Sequence, residues 1–266
     1  MRAASRPGPG SWVEAELDGA PLTVEDALAV GMSGDGHYSS MQVRDGSVRG
    51  LAHHLARLTS SHAELYGGAL DVDSVRGLMR RVVERRPDCS LRVQVVELQP
   101  EVPRVLVVAR PAAAPPEGPL RLATYAYVRP LAHLKHAGTF GQHVYGRRAE
   151  QHGFDDALFV TPTGHLAETS VANVALVRDG SLVWPVGASL RGIAWQILDD
   201  ALDAVGTPSS EALVHREDVA AFDGMLACSS VGVVAVGAVD DEDLPGSAAA
   251  VAPFVALHDA VPLDPV

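Results

Sequence analysis

Lys135 stands out in this sequence because it is the single lysine among 21 basic residues, the other 20 being arginines. The bias toward arginine, alanine, valine and glycine is typical of a GC-rich genome, in which lysine codons are rare. A lysine amine can lose its proton and form an imine, whereas a guanidinium stays protonated and is not a nucleophile. The residue is therefore either a lysine with imine chemistry or a surface lysine kept by chance.

Four further segments contain charged or anion-binding groups at the ends of predicted elements. Glu168 ends a predicted strand after a tight turn, a common position for a catalytic carboxylate. Residues 190–194 (LRGIA) open a predicted helix after a loop, so that backbone amides can approach an anion. Ser229 and Ser230 end another strand, and Arg57 lies on the first predicted helix. Taken singly, such groups are more often surface charges, solvated carboxylates or polar strand ends.

Together these groups meet the needs of pyridoxal 5′-phosphate (PLP). That cofactor requires an amine for its aldehyde, a carboxylate near its pyridine nitrogen and donors for its phosphate. An arginine fork and the free N–H groups at a helix start both bind phosphate. The set predicts a PLP enzyme in which Lys135 holds the cofactor as a Schiff base.

The same segments, in the same order, resemble the class IV, fold-type IV PLP enzymes. That family includes branched-chain aminotransferases, D-amino-acid transaminases, (R)-amine transaminases and 4-amino-4-deoxychorismate lyase. The resemblance runs from about Gly36 to Val236, and the separation of 33 residues from Lys135 to Glu168 also suits the family. It is carried by HLARL at 54–58, LKH at 134–136, ETSVAN at 168–173, LRGI at 190–193 and CSS at 228–230.

The resemblance implies a role for each matching position. Lys135 and Glu168 would be catalytic, the first as Schiff base and proton carrier and the second as partner of the pyridine nitrogen. Tyr38, Ser40 and Glu97 would lie on the substrate side. The implied cofactor-binding residues are Arg57, Lys135, Glu168, Asn173, Leu190, Gly192, Ile193, Ala194, Ser229 and Ser230. No metal is implied.

Glu97 departs from the family pattern, because several relatives carry a carboxylate-binding arginine near this position. A carboxylate there would repel the carboxylate of an amino acid. The departure predicts poor activity with branched-chain L-amino acids. Better substrates would carry an amine or an extra positive group near Glu97, or would have their carboxylate bound elsewhere by Arg129, Arg147 or Arg191.

Three functions remain open from the sequence. The first is a PLP-dependent aminotransferase that moves an amino group between an amino donor and a keto acid. The second is a 4-amino-4-deoxychorismate lyase that releases pyruvate, since the Leu134-Lys135-His136 run is most similar to that branch. The third is a degenerate, non-catalytic protein that keeps the PLP fold as a scaffold.

Hydrophobic periodicity predicts the elements that position these groups. Residues 51–66 place leucines on one face of an amphipathic helix, and residues 37–50 alternate around a D-G turn as a hairpin. Helices are also predicted at 72–86, 139–153 and 192–205. Strands are predicted at 12–17, 91–98, 105–109, 120–128, 157–161, 165–168, 174–177, 181–184, 212–215, 224–227 and 233–236.

This pattern predicts an α/β (α+β) protein of two domains, which the resemblance implies to be fold type IV with the cofactor between them. The expected division is a disordered tail at 1–10, a small N-terminal α/β domain at 11–128 and a larger C-terminal α/β domain at 129–266 that carries the lysine. The first domain is expected to be mainly antiparallel.

Composition restricts the partners of the protein. A net charge of -12 disfavours nucleic acid, because phosphates would be repelled. No run of 18 apolar residues exists, so no membrane partner is expected. Two cysteines among 266 residues fit a reducing cytoplasm. The expected partners are a small amino donor, a keto acid and, by resemblance, a second copy in a homodimer.

Overall fold

The computed structural model describes residues 14–207 and 209–266. Within them the chain divides into two compact units. The N-terminal unit consists of residues 14–113 together with two distant pieces, Leu134–Gly138 and Pro262–Val266. The C-terminal unit consists of Ala114–His133 and Thr139–Val261.

Helices and strands follow one another along the described chain. No helix in these ranges is both long and apolar enough to cross a lipid bilayer. In chain order the elements are β1 (Glu14–Leu17), β2 (Ala20–Pro21), α1 (Val24–Ser33), β3 (His37–Arg44), β4 (Ser47–Arg49), α2 (Leu51–Tyr66), α3 (Val72–Arg85), β5 (Cys89–Gln99), β6 (Val102–Pro111), β7 (Leu120–Ala126), α4 (Phe140–Gln151), β8 (Asp156–Val160), β9 (Leu166–Thr169), β10 (Asn173–Arg178), β11 (Ser181–Pro185), α5 (Ile193–Ala204), β12 (Ser210–Ala212), a 3₁₀ helix (Arg216–Ala221), β13 (Gly224–Ser229), β14 (Gly232–Val239), β15 (Glu242–Asp243), α6 (Ser247–Ala260) and β16 (Leu263–Pro265).

The N-terminal unit is built on a seven-stranded sheet in the order β16-β4-β3-β5-β6-β1-β2. All of its neighbouring strands are antiparallel, as the sequence pattern predicts. Burial alternates along β3, which sends every second side chain to a covered face. The buried side chains of that face form one hydrophobic core with those of α2 and α3. This core includes Met41, Val43, Leu58, Val75, Met79, Val82, Leu91 and Val93.

The C-terminal unit is built on a nine-stranded mixed sheet in the order β12-β11-β10-β13-β14-β7-β8-β9, with β15 paired to β14. Strand β7 runs parallel to both of its neighbours, β14 and β8, and α4 connects β7 to β8. Helix α5 packs on this sheet through stacked indoles, since the ring centroids of Trp184 and Trp195 lie 4.4 Å apart.

The division into units differs from the predicted boundary at 128/129. Lys135, predicted to lie in the C-terminal domain, belongs to the N-terminal unit because its segment is hydrogen-bonded to the start of β3. Tyr38 N donates to Lys135 O at 2.9 Å, and Ala137 N donates to Gly36 O at 2.8 Å. The end of the chain also belongs to the N-terminal unit, through the pairing of β16 with β4. The predicted tail at 1–10 lies outside the described residues.

Most predicted elements are present, and the differences have local causes. The predicted strand at 212–215 is shorter and earlier, at Ser210–Ala212, because only these residues pair with β11. Helix α1 was not predicted, although Thr23 and Asp26 form a capping box at its start. Helix α6 was also missed, since its sequence is rich in alanine and contains Pro253.

Candidate active site

Lys135 is partly buried in a short segment that pairs with β3. His136 forms an isolated antiparallel bridge with His37, so that the backbone fixes the position of the lysine. The Lys135 ammonium lies 5.1 Å from the centroid of the Tyr38 ring. Gly36 lies two residues before Tyr38 and has a φ of +104°. A Cβ at Gly36 would come within 2.5 Å of Val95 O. Only glycine fits this approach.

Arg57 projects from α2 and is held by a polar chain inside the N-terminal unit. Its Nη2 donates to Ser39 Oγ, and Ser39 Oγ lies 2.6 Å from His54 Nδ1. Because a guanidinium can only donate, Ser39 accepts from Arg57 and has its own proton left for His54. Burial holds the pKa of His54 well below its usual value, so that this imidazole is neutral.

The guanidinium of Arg57 is suited to an anion. Burial lowers its pKa to about 10, which reflects the cost of removing this cation from water. Its Nε is buried and has no hydrogen-bond partner among the described residues. None of these residues forms an ion pair with it either. A buried cation with an unused donor fits a phosphate group, which accepts several hydrogen bonds.

Glu168 is buried in the C-terminal unit as half of an ion pair. Arg129 Nε donates to Glu168 Oε1 at 2.8 Å, and the two side chains are only 4% and 7% exposed. Glu168 Oε2 accepts from Leu190 N at 3.1 Å. Two carboxylate oxygens offer about four acceptor sites in all, so these contacts leave capacity for a further donor. Arg129 thus fixes the position of the Glu168 side chain beside the loop that precedes α5.

Asn173 fastens the same loop from the neighbouring strand. Its Cα is paired with that of Glu168 across a tight turn, which brings both side chains to one face. Asn173 Nδ2 donates to Leu190 O at 2.6 Å, and its Oδ1 accepts from Gly192 N at 3.1 Å. A Cβ at Gly192 would come within 2.2 Å of Asn173 Oδ1, which explains the glycine. The loop is therefore fixed by two buried polar side chains.

The start of α5 exposes backbone donors. Its N-cap is Gly192, and no side chain of the described residues caps it. The amides of Ile193 and Ala194 open the helix, where N–H groups lack intrahelical partners and the helix dipole favours an anion. This geometry fits the phosphate role that the sequence predicts for these two residues.

Ser229 and Ser230 lie at the end of β13, next to the strand that carries Asn173. The register pairs Asn173 with Cys228, so the serines follow directly at this end of the sheet. Ser229 Oγ accepts from Val231 N at 3.4 Å within the turn to β14. Within the C-terminal unit, Glu168, Asn173 and Ser229 thus lie on three neighbouring strands.

The predicted substrate residues lie in the N-terminal unit. Tyr38 and Ser40 point to the same side of β3, because they are two residues apart. Glu97 lies near the β5–β6 turn, where its Oε1 accepts from Glu101 N at 2.7 Å. Its carboxylate therefore has a local role in the hairpin.

Three residues near these groups were not predicted in the roles that the structure indicates. Ser39 and His54 orient Arg57, and Arg129 pairs with Glu168. The role of His54 could have been predicted from the sequence, because this histidine lies on the buried face of an amphipathic helix, one turn before Arg57. For Ser39 and Arg129 the contacts join residues far apart in the sequence, and no local pattern marks them. No group of acidic, histidine or cysteine side chains suited to a metal ion exists in the described ranges.

Several solved structures have a fold similar to that of this chain. A hypothetical aminotransferase from Mycobacterium tuberculosis, in its PLP-bound form, has a TM-score of 0.81 at 23% identity, over 94% of this chain and 98% of that chain. A candidate 4-amino-4-deoxychorismate lyase from Legionella pneumophila gives 0.80 at 18% identity, over 91% and 95%. A branched-chain aminotransferase from Thermoproteus uzoniensis with norvaline gives 0.79 at 20%, over 93% and 94%.

These likenesses, at low identity, confirm the predicted α/β fold. A search of curated protein sequences finds no significant match. The sequence profile of the family described as Amino-transferase class IV matches residues 36–239, which is well over half of the chain. The resemblance drawn from the motifs is thereby confirmed, and the protein belongs to the class IV aminotransferase family.

Proposed function

We propose that this protein is a PLP-dependent aminotransferase that moves an amino group between an amino donor and a keto acid. The observation that carries the proposal is the position of Lys135. It is the one lysine of the chain, its segment is fixed to β3, and its ammonium lies 5.1 Å from the Tyr38 ring centroid. Membership of the class IV family supports the reaction class.

The residues that would hold the cofactor fit its chemistry group by group. Lys135 supplies the amine for the aldehyde, and Glu168 supplies a buried carboxylate for the pyridinium nitrogen. Arg57 supplies a guanidinium with an unused buried donor, and α5 supplies the uncapped amides of Ile193 and Ala194. Further contacts to the cofactor are proposed for Asn173, Leu190, Gly192, Ser229 and Ser230.

When bound, PLP supplies an electron sink for the charge that develops as a substrate Cα loses its proton. Lys135 Nζ acts as the base that takes this proton and later returns it. Glu168, held in its ion pair with Arg129, would supply the negative charge that the pyridine nitrogen needs. Asn173 and Glu168 hold the 190–192 loop in place, so that the helix amides are oriented before any anion binds.

The small-molecule partners in this proposal are an amino donor and a keto acid. Homodimer assembly and a cytoplasmic location stay predictions from the sequence. The expected weakness toward branched-chain L-amino acids also stays a prediction, and it has less support, because Glu97 accepts a hydrogen bond within its own hairpin.

The test of the function is a single-turnover experiment with PLP-loaded protein. Individual amino donors are added, and the cofactor is followed as it is converted to pyridoxamine 5′-phosphate while a keto acid is released. We expect stoichiometric conversion by at least one amino donor. Absence of cofactor in the purified and reconstituted protein would contradict the proposal.

A lyase is the second candidate, favoured by the Leu134-Lys135-His136 run. The same experiment separates it from the aminotransferase. Release of pyruvate from 4-amino-4-deoxychorismate, without accumulation of pyridoxamine 5′-phosphate, would assign the lyase reaction instead. A protein that binds PLP but turns over neither class of substrate would point to the non-catalytic alternative.

Replacing Arg57 with alanine is expected to weaken cofactor binding. The substitution removes one charged, buried donor to the phosphate, and such a contact contributes about 1.5–3 kcal/mol, which corresponds to roughly a 10- to 100-fold rise in Kd. The measurement is a PLP titration followed by absorbance or fluorescence. Arg104→Ala serves as the control, because that arginine is already paired with Asp18 at 2.7 Å. An unchanged Kd in Arg57→Ala would remove Arg57 from the phosphate site.

A further inference from the structure

Asp199 lies on α5, and each of its two carboxylate oxygens accepts two hydrogen bonds. Its Oδ1 accepts from Trp184 Nε1 at 2.8 Å and from Ser209 Oγ at 2.7 Å. Its Oδ2 accepts from Trp195 Nε1 at 2.8 Å and from Arg191 Nη2 at 2.8 Å. Because a carboxylate has about four acceptor sites, the chain itself uses all of them. Asp199 therefore holds these four donors rather than binding a ligand.

Two of the four donors lie on either side of the start of α5. Arg191 lies two positions before Ile193, the first residue of the helix, and Trp195 lies in the first turn, one turn before Asp199. Between them stand Ile193 and Ala194, whose backbone amides are the proposed phosphate donors. The hydrogen bonds to Asp199 use neither amide. Asp199 thus fastens the chain on both sides of these amides and leaves them available.

The indole of Trp195 is held in one orientation. It stacks on the indole of Trp184, with the ring centroids 4.4 Å apart and the ring planes 12° from parallel. Both side chains are buried. Since both N–H groups donate to the same carboxylate, neither ring can turn without leaving a buried donor unpaired. The first turn of α5 is thereby fixed to β11, the strand that carries Trp184.

Arg191, one of the three arginines that the sequence suggested as a substrate ligand, is engaged with its own unit. Its guanidinium carbon lies 5.3 Å from the centroid of the Trp195 ring, and its Nη1 lies 3.6 Å from Glu211 Oε1. Its backbone O accepts from Gln196 Nε2 at 3.1 Å. The Arg191 side chain is 58% exposed, so its ion pair with Asp199 contributes little stability by itself. What the pair does is to fix the direction in which the chain enters the helix.

We propose that Asp199 is a positioning residue for the cofactor phosphate, which holds the first turn of α5 in place through Trp195 and Arg191. This inference rests on the proposed phosphate role of the Ile193 and Ala194 amides, and it adds the residue that orients them. Amides that are oriented in advance lose little freedom when an anion binds, so more of the interaction appears as affinity.

The test compares PLP with pyridoxal, which has the same ring and aldehyde but no phosphate. Asp199→Asn keeps the shape of the side chain, but one acceptor oxygen becomes an amide nitrogen that cannot accept from an indole or a guanidinium. We expect the Kd of PLP to rise about 10-fold while the Kd of pyridoxal stays unchanged. Absorbance titrations measure both constants. Asp203→Asn is the matched control and should change neither, because it removes the same charge from an exposed position of the same helix.

Charge alone predicts the opposite sign. Asp199→Asn removes a negative charge and leaves Arg191 without its nearer carboxylate, and both changes would attract a phosphate more strongly. An unchanged or lower Kd of PLP would therefore overturn the proposal. An equal rise for PLP and pyridoxal would overturn it too, because a general structural defect affects both ligands.

A second variant leaves every charge in place. Trp195→Phe keeps an aromatic ring for the stack and removes only the N–H donor to Asp199. It should raise the ratio of the PLP constant to the pyridoxal constant in the same direction as Asp199→Asn. A wild-type ratio in Trp195→Phe would show that the contact with Asp199 does not orient the amides.

Inorganic phosphate separates this inference from the proposed function. A wild-type protein that retains no PLP after reconstitution would contradict that function. Phosphate is then titrated into the cofactor-free protein and followed by calorimetry. Weaker binding by Asp199→Asn than by the wild type would support the positioning role, whereas equal binding, or no binding by the wild type, would disprove it.

Discussion

Replacing Lys135 with alanine is expected to reduce turnover by about 10⁴-fold, the upper range for loss of a positioned acid–base group. The reason is that no other lysine exists to bond the cofactor aldehyde or to carry the substrate proton. In the wild type, borohydride should fix the cofactor mass to one peptide, the one that contains Lys135. Mass spectrometry of the digested protein measures this directly.

The alanine variant should remain folded, which makes it a clean control. The contacts that hold the segment are backbone bonds from Tyr38 N to Lys135 O and from Ala137 N to Gly36 O, and neither uses the lysine side chain. Circular dichroism should therefore match the wild type. Labelling at another site, such as the N-terminus, would disprove the assignment of Lys135.

Replacing Glu168 with glutamine is expected to have two large effects. Turnover should fall by about 10²- to 10³-fold, as is typical when one preorganised electrostatic partner is lost. The free energy of unfolding should also fall by about 3 kcal/mol, because Arg129 would remain buried without its counter-charge. Steady-state kinetics and denaturant unfolding measure the two effects separately.

A double variant distinguishes these effects. Arg129→Met combined with Glu168→Gln removes both charges, and a buried pair replaced by neutral groups often loses little stability. We expect the double variant to recover most of the unfolding free energy while turnover stays low. Wild-type turnover in Glu168→Gln would instead remove Glu168 from the catalytic role and leave it only a structural one.

The sequence predicts the local parts of this molecule well. Helix α2 is predicted at 51–66 and begins and ends at those residues, because leucines recur at helical spacing and glycines stand on both sides. The antiparallel character of the first sheet follows from the D-G hairpin and from alternation along β3. Within the candidate site, the uncapped start of α5 could be inferred from a glycine that follows a strand and loop.

What the sequence does not reveal depends on long-range pairing. Nothing in the Leu134-Lys135-His136 segment indicates that it pairs with β3. The hydrogen bond from Tyr38 N to Lys135 O connects residues almost a hundred positions apart. The cation–π contact between Arg92 and Tyr38 likewise requires the register between β3 and β5, which a single sequence does not define. Arg129 was one of three arginines suggested as a substrate ligand, and its buried ion pair with Glu168 joins residues that no local pattern connects.

The three-part composition of the N-terminal unit has a consequence for how the chain folds as it is synthesised. Domains made from one continuous segment can fold on the ribosome as soon as that segment emerges. Here the sheet can gain the lysine segment only once residue 138 has been made, and its edge strand β16 only once residue 265 has been made. Arg80 Nε donates to Val266 O at 2.9 Å, which ties α3 to the segment that contains β16. The N-terminal unit can therefore be completed only after the whole C-terminal unit has been synthesised.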